Sequence, residues 1–529
     1  MSRSWPSWAG RVPSAAERER TAMAESNGAP LQVAHRGALS IAVNFASFLQ
    51  ALDTTIANVA LPHIRGAVSA TPEQITWVLT SYIVASAIMI PLTGWLADHY
   101  GRKKVLVTSV IGFTLSSALC GMAQSLEQIV LFRLLQGLSG AALIPQSQAV
   151  LLDINPPHRH GTAMAAWGTA VVFGPVIGPV LGGWLTDNYS WRWVFYINLP
   201  IGILAALGLI SYMRETKLRQ SSFDFFGFVT LSLFIGSLQI MLDRGQLQDW
   251  FSSTEISLEA ALAALSFYLF AVHAATFKTP FVSPSLFMDR NFAATSVLIF
   301  VLGVVMFATL ALLPPLLQEL MHYPVATSGL VTAPRGVGTL ISMVVVGRVV
   351  TRVDPRLLVG GGFALTAIAM WMMCGFSPLM GYGLVIWSGL LQGFGLGITW
   401  VPLSTVSFAT LDPRLRSQGT SMFNLLRNIG SSIGIATIQA LWVRNTQIMH
   451  ARLGEHITPY GALQVPPTYS LSSPHGLAAL NAAVTRQAEM IAYNNDFKLM
   501  LIITLAVIPC VFLLKTSGAS APKGPTAVE

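Results

Sequence analysis

The sequence predicts an all-α integral membrane protein: 14 transmembrane helices forming two six-helix bundles joined by two linking helices. Three observations carry that expectation. Charged residues make up only 10% of the 529 residues and hydrophobic ones 53%, against roughly 25% charged in soluble domains. A soluble chain so poor in charge could not cover its own surface, and a disordered one would need low hydrophobicity and high net charge. Second, the apolar residues gather into fourteen stretches, most of them near the 20 or so residues that cross a bilayer as a helix. Third, the chain resembles itself at an offset of about 255 residues.

In chain order, residues 1–38 are polar, hold five arginines and lack an apolar run fit for a signal peptide. They read as a disordered cytoplasmic tail. Spans follow at 39–62, 74–96, 104–123, 128–152, 162–186 and 193–213, the first bundle over 39–213. Two linking spans at 224–243 and 257–277 occupy 224–277. The second bundle, 293–516, holds spans at 293–319, 325–348, 357–376, 382–409, 419–443 and 496–516. Glycine and proline inside many of them suit membrane helices, and membrane β-strands would be short and alternating. Most connections are short. The polar, Pro-bearing stretch 444–495 is predicted to be a long loop on the outer side, and 517–529 a cytoplasmic tail.

Charge supports the even span count. With both termini in the cytoplasm, 21 of the 31 Lys and Arg fall inside, seven outside and three within spans. That is the bias expected of a multi-pass membrane protein. The net charge of +8 is therefore assigned to orientation on a lipid bilayer and not to nucleic acid. Cys120, Cys374 and Cys510 all sit in apolar runs and read as packing residues.

The repeat aligns Leu134-Leu135-Gln136-Gly137 with Leu390-Leu391-Gln392-Gly393, and Gly161-Thr162-Ala163-Met164 with Gly419-Thr420-Ser421-Met422. An even number of spans separates the copies, so both bundles share one orientation. Paired halves of this kind enclose a substrate cavity in transporters.

Candidate functional residues are the polar ones inside apolar spans. Asp53 falls in span 1 and Arg133 in span 4. A charge at the bilayer centre costs about 2.5–3.5 kcal/mol or more, so it must meet a partner or a cavity. Asp53 is the candidate proton carrier; Arg133, which cannot titrate, would stabilise it when deprotonated. The alternative is an ion pair that only fixes helix packing. Glu319, near the outer end of span 9, is a further proton-coupling candidate. Gln50, Thr54 and Asn58, on the Asp53 side of span 1, together with Gln136 and Arg427, are candidate cavity-lining residues. Arg335 and Asp243 could also line the path. Gly174, Gly178 and Gly182 repeat every four residues in span 5 and permit close helix approach. Pro175 and Pro179 between them favour a kink, so the segment is a candidate pivot between the halves. Asp98, Gly101 and Arg102 in the short basic loop after span 2 form a candidate conformational latch.

No Gly-x-x-x-x-Gly-Lys-Ser/Thr phosphate loop, His-Glu-x-x-His pair or Gly-x-Ser-x-Gly elbow occurs. We expect no ATP motor of that kind, no metal site, no cofactor and no enzyme.

These residues resemble the fourteen-span drug:proton antiporters of the major facilitator superfamily. The stretch around Asp53 resembles the group's first-helix signature. The loop beginning at Gly94 resembles the superfamily loop motif, with His99 where arginine is usual. Arg133-x-x-Gln136-Gly137 resembles the span 4 motif, with Ser139 where glycine is common. Gly174-x-x-x-Gly178-Pro179-x-x-Gly182-Gly183 resembles the antiporter motif. Trp191-Arg192-Trp193 through Pro200, and Gly236 through Gly245 followed by Asp249-Trp250-Phe251, are similar to EmrB-type exporters. The resemblance covers residues 39–516. It implies a major facilitator fold and proton-driven export of hydrophobic or amphipathic toxic compounds by alternating access, without ATP. It also implies a place in the bacterial inner membrane as part of a tripartite efflux pump, with a periplasmic membrane-fusion adaptor and a TolC-like outer-membrane channel. The rival reading is an exporter of a natural metabolite such as a weak aromatic acid.

Overall fold

The computed structural model describes residues 35–216, 218, 222–350, 352–457, 469 and 473–515. The predicted tail 517–529, the predicted tail 1–38 up to residue 34, and most of 458–472 within the predicted 444–495 loop lie outside the described residues.

Fourteen long helices follow in the predicted order. The first bundle comprises α1 (Arg36–Ala67), α2 (Trp77–Tyr100), α3 (Arg102–Met122), α4 (Leu126–Ile154), α5 (His160–Asn188) and α6 (Asn198–Tyr212). The linking pair is α7 (Phe225–Arg244) and α8 (Thr254–Thr276). The second bundle comprises α9 (Arg290–Leu320, closing in a π turn at Leu316–Leu320), α10 (Val325–Val349), α11 (Pro355–Met373), α12 (Tyr382–Val406), α13 (Arg416–Glu455) and α14 (Pro474–Val507).

The pairings repeat. α1 packs on α5 as α9 packs on α13; α2 packs on α4 as α10 on α12; α6 packs on α1 and α3 as α14 packs on α9 and α11. Between the bundles, α2 meets α13 and α5 meets α10, the two contacts being counterparts under the repeat.

Thirteen of the described helices are long and apolar enough to cross a membrane. The remaining span lies on α13, which is too polar to qualify by composition. Its polar residues face the other bundle: Ser421 Oγ lies 2.9 Å from Thr93 Oγ1, and Asn424 Nδ2 donates to Gln148 Oε1 at 2.9 Å. A helix in the centre of the molecule needs little lipid-facing surface, so its hydropathy can fall.

The structure corrects two element boundaries. Predicted span 4 is broken at Ala141–Ala142, between Leu126–Gly140 and Leu143–Ile154. Pro145 has no N–H to continue the ladder back to Ala141. The amide of Ile144, freed at the break, donates to Gln50 Oε1 at 3.1 Å. The 444–495 segment is helix at both ends and not a loop there. α13 runs 40 residues to Glu455, and α14 starts at Pro474. Ser473 caps α14 by accepting from Gly476 N at 3.0 Å, with proline in the first turn. Outside the bilayer a helix need not be apolar, so hydropathy alone cannot see these extensions.

Candidate functional site

Asp53 is fully buried, and three side chains satisfy it. Arg133 Nη1 donates to Oδ2 at 2.6 Å, Gln136 Nε2 to Oδ1 at 2.9 Å and Asn198 Nδ2 to Oδ1 at 2.8 Å. Arg133 is equally buried. Its Nε donates to Val78 O at 3.1 Å, its Nη1 also reaches Gln136 Oε1 at 2.8 Å, and its guanidinium lies 4.2 Å from the Tyr82 ring centroid. Arg133 and Gln136 sit three residues apart on one face of α4. Asn198, at the start of α6, is steadied by donating to Ser117 Oγ at 3.0 Å. Four helices, α1, α3, α4 and α6, thus converge on one carboxylate. The arrangement offers the Asp53 carboxylate three donors, one of them cationic. Adding a proton would discharge it, weaken the charge-assisted bond to Arg133 and leave the guanidinium seeking another acceptor.

The glycine seam lies directly beneath. A Cβ at Gly174 would sit 2.6 Å from Ala51 C and Leu52 N; one at Gly178 would strike Thr55, and one at Gly182 would lie 2.8 Å from Ile56 Cγ1. The stripe therefore presses α5 onto α1 around Asp53, inside the first bundle. Val176 of the same segment packs against Gly336 of α10, in the other half. α5 continues unbroken through Pro175, half-buried, and Pro179, exposed.

Other candidates are scattered. Gln50 is buried at the α4 break, while Thr54 and Asn58 are exposed on α1, away from the Asp53 cluster. Glu319 is exposed in the π turn of α9 and is not among the Asp53 partners. Arg427 is buried on α13, where Nη2 donates to Asn428 Oδ1 at 3.1 Å and the guanidinium lies 5.4 Å from the Trp400 ring. Trp400 in turn neighbours Trp167 of the first bundle, centroids 6.2 Å apart. Arg335 is buried too and donates to Met306 O at 2.8 Å. Nη1 of Arg335 and Nε of Arg427 have no hydrogen-bond partner.

At the end carrying the basic loop, Asp153 binds Arg102 of its own bundle and Arg416 of the other, the latter at 3.1 Å. The ion pairs between the halves centre on Asp153, which reading the loop alone missed; Asp98 is half-buried at the end of α2. Gly101, at φ +94°, turns the chain between α2 and α3 in a conformation few other residues tolerate. The backbone of Arg102 donates to Thr216 Oγ1 at 3.1 Å. Asn198 also escaped selection, although a lone amide in the run Val194–Ile201 was a readable signal.

Fourteen helices in two repeated bundles, meeting around buried polar groups, define a membrane transporter architecture. Residues 43–435 match the family model described as the Major Facilitator Superfamily. The chain is 36% identical over 495 residues to the multidrug export protein EmrB of Escherichia coli (strain K12), covering 92% of this chain and 96% of that one. It is 37% identical over 493 residues to the fatty acid resistance protein FarB of Neisseria gonorrhoeae, covering 92% and 97%. The structure of the proton:xylose symporter XylE superimposes with a TM-score of 0.58 at 14% identity, over 90% of this chain and 96% of that one, a likeness of fold. The chain belongs to the major facilitator superfamily and, within it, to the EmrB-type group.

Proposed function

We propose that the protein is a proton-driven exporter of hydrophobic or amphipathic toxic compounds, working by alternating access. The observation that carries this reading is the Asp53 cluster: a dischargeable carboxylate on α1 whose partners come from α4 and α6, and whose neighbours Ala51, Leu52 and Thr55 meet the glycine seam. Protonation from the outside releases Arg133 and loosens the α1–α4 contact; deprotonation to the cytoplasm restores it as substrate binds. One proton crossing 100 mV supplies about 2.3 kcal/mol, and one pH unit about 1.4 kcal/mol more. Together they sustain a gradient of several hundredfold for a neutral compound. The protein is not an enzyme and uses neither ATP nor a cofactor. It sits in the bacterial inner membrane with both termini cytoplasmic. Its relatedness to EmrB supports a tripartite pump with a periplasmic adaptor and a TolC-like channel.

Arg335 and Arg427 favour a second reading, export of a weak aromatic acid. Two buried guanidiniums with no carboxylate partner suit an anionic substrate.

The test uses sealed, oriented vesicles with a pH gradient, following internal pH together with a fluorescent hydrophobic cation or a fluorescent aromatic acid. Substrate-driven proton counterflow in wild type, lost in folded Asp53→Asn, is the expected result. Normal coupling in that variant would reduce Asp53 to a structural role. Transport of the acid and not the cation would select the second reading.

A further inference from the structure

The second bundle holds a carboxylate in the opposite condition to Asp53. Asp496 of α14 is 1% exposed, and neither of its oxygens has a hydrogen-bond partner. The residues that flank it on α14 are packed into the bundle. Phe497 stacks edge-on with Phe376 of the α11 end at 5.6 Å, Asn494 Nδ2 donates to Phe376 O at 3.0 Å, and Met500 Sδ accepts from Thr309 Oγ1 of α9 at 3.8 Å. Trp442 of α13 lies 5.5 Å from the Tyr493 ring.

An ionised carboxylate sealed in such surroundings without a cation is prohibitively costly. The nearby titratable groups offer no paired counter-charge: Lys498, two residues on, is exposed. The π turn of α9 brings Glu319, and α14 itself brings Glu489 and Tyr493. α11 brings Cys374, which feels Lys498 of α14. α9 and α13 present Thr309 and Trp442, both neutral. A buried carboxyl with no partner is suited to hold a proton.

One face of α14 leads from Asp496 toward an acidic cavity. Glu489, Tyr493 and Asp496 recur at spacings of four and three, on one face of α14. Tyr493 lies within electrostatic reach of Glu319, Glu489 and Asp496. Glu319 and Glu489 line a cavity of about 240 Å³ at the end of the bundle remote from the basic loops, with His322, Thr485 and Arg486.

We propose that Asp496 is a second proton-binding site, loaded from the Glu319–Glu489 cavity through Tyr493, whose proton moves only in a transport cycle that Asp53 drives. The inference rests on the proton-coupled reading for its role in transport, though not for the bound proton itself. The proton enters from water at the cavity, forms the O–H bond of the Asp496 carboxyl and leaves as hydronium when α14 separates from α9 and α11.

Two measurements test it. Infrared difference spectra of purified protein at neutral pH should show a protonated-carboxyl band that disappears in Asp496→Asn. In the oriented vesicles, Asp496→Asn should lower the proton-to-substrate ratio by one, and Glu489→Gln should slow proton uptake severalfold without changing the ratio. Absence of the band in wild type, or an unchanged ratio in folded Asp496→Asn, overturns the proposal. A wild type that shows the band but moves no protons with substrate retains the site and refutes the proton-coupled reading instead.

Discussion

In the first bundle α1 meets α4 through Asp53, Arg133 and Gln136; in the second, α9 meets α12 through Thr309 and Gln392. The glutamine survives the repeat. Gln392 Nε2 donates to Thr309 Oγ1 at 3.0 Å where Gln136 donates to a carboxylate. Gly389 stands where Arg133 stands, and a Cβ there would lie 3.6 Å from Arg335 Cβ of α10. One half thus pairs its charges internally, while the other carries a hydroxyl and leaves its arginine without a carboxylate. Packing geometry is common to both halves and charge is not, so the charge is not required for the fold.

The sharpest way to break this comparison is to remove one arginine from each half. Arg133→Leu strands Asp53 as a buried anion and should cost about 3–5 kcal/mol, read as a large loss of melting temperature in detergent. The double variant with Asp53→Asn should regain most of it. Arg335→Leu removes a charge that no carboxylate needs and should be neutral or stabilising in the same assay.

A smaller effect is expected at the glycine seams. Gly174→Leu forces side-chain atoms against the α1 backbone and should destabilise by about 1–3 kcal/mol or more. Gly434, whose Cβ would sit 2.8 Å from Val304 Cα of α9, should respond alike. Gly360, with nothing within 4 Å, should tolerate alanine.

Next come the paired glutamines. Gln136→Leu removes a bond to a charged group, about 1.5–3 kcal/mol, whereas Gln392→Leu removes a neutral one, about 0.5–1.5 kcal/mol. Thermal melts of the two variants side by side should separate them; equal losses would show that the carboxylate is not held as an anion.

The smallest effect concerns the contact between halves. Asp153→Asn frees Arg102 and Arg416 and should shift the balance of conformations by about 1 kcal/mol. Crosslinking of Thr93→Cys to Ser421→Cys should then slow about fivefold.

The fold was legible because hydropathy and the positive-charge bias report directly on the bilayer. The Asp53–Arg133 pair was legible for the same reason, since two opposite charges in apolar spans have few places to go. Three features were hidden. Asp153 sits at the polar end of a span, where acidic residues are common and carry no signal. Asp496 fell at the predicted edge of span 14, where a charge excites no suspicion. The helical extensions of α13 and α14 lie outside the membrane, where hydropathy says nothing about helix.

α13 begins with the Arg416 latch at the basic end and continues as one helix for 40 residues. At 1.5 Å per residue it is about 60 Å long, twice the thickness of the hydrocarbon core. It is therefore a lever with its short arm in the contact between the bundles and its tip well beyond the opposite face. By that geometry a tilt of about 10° at the Arg416 end would move the tip through about 10 Å, so any rearrangement of that contact would be amplified at the helix's other end.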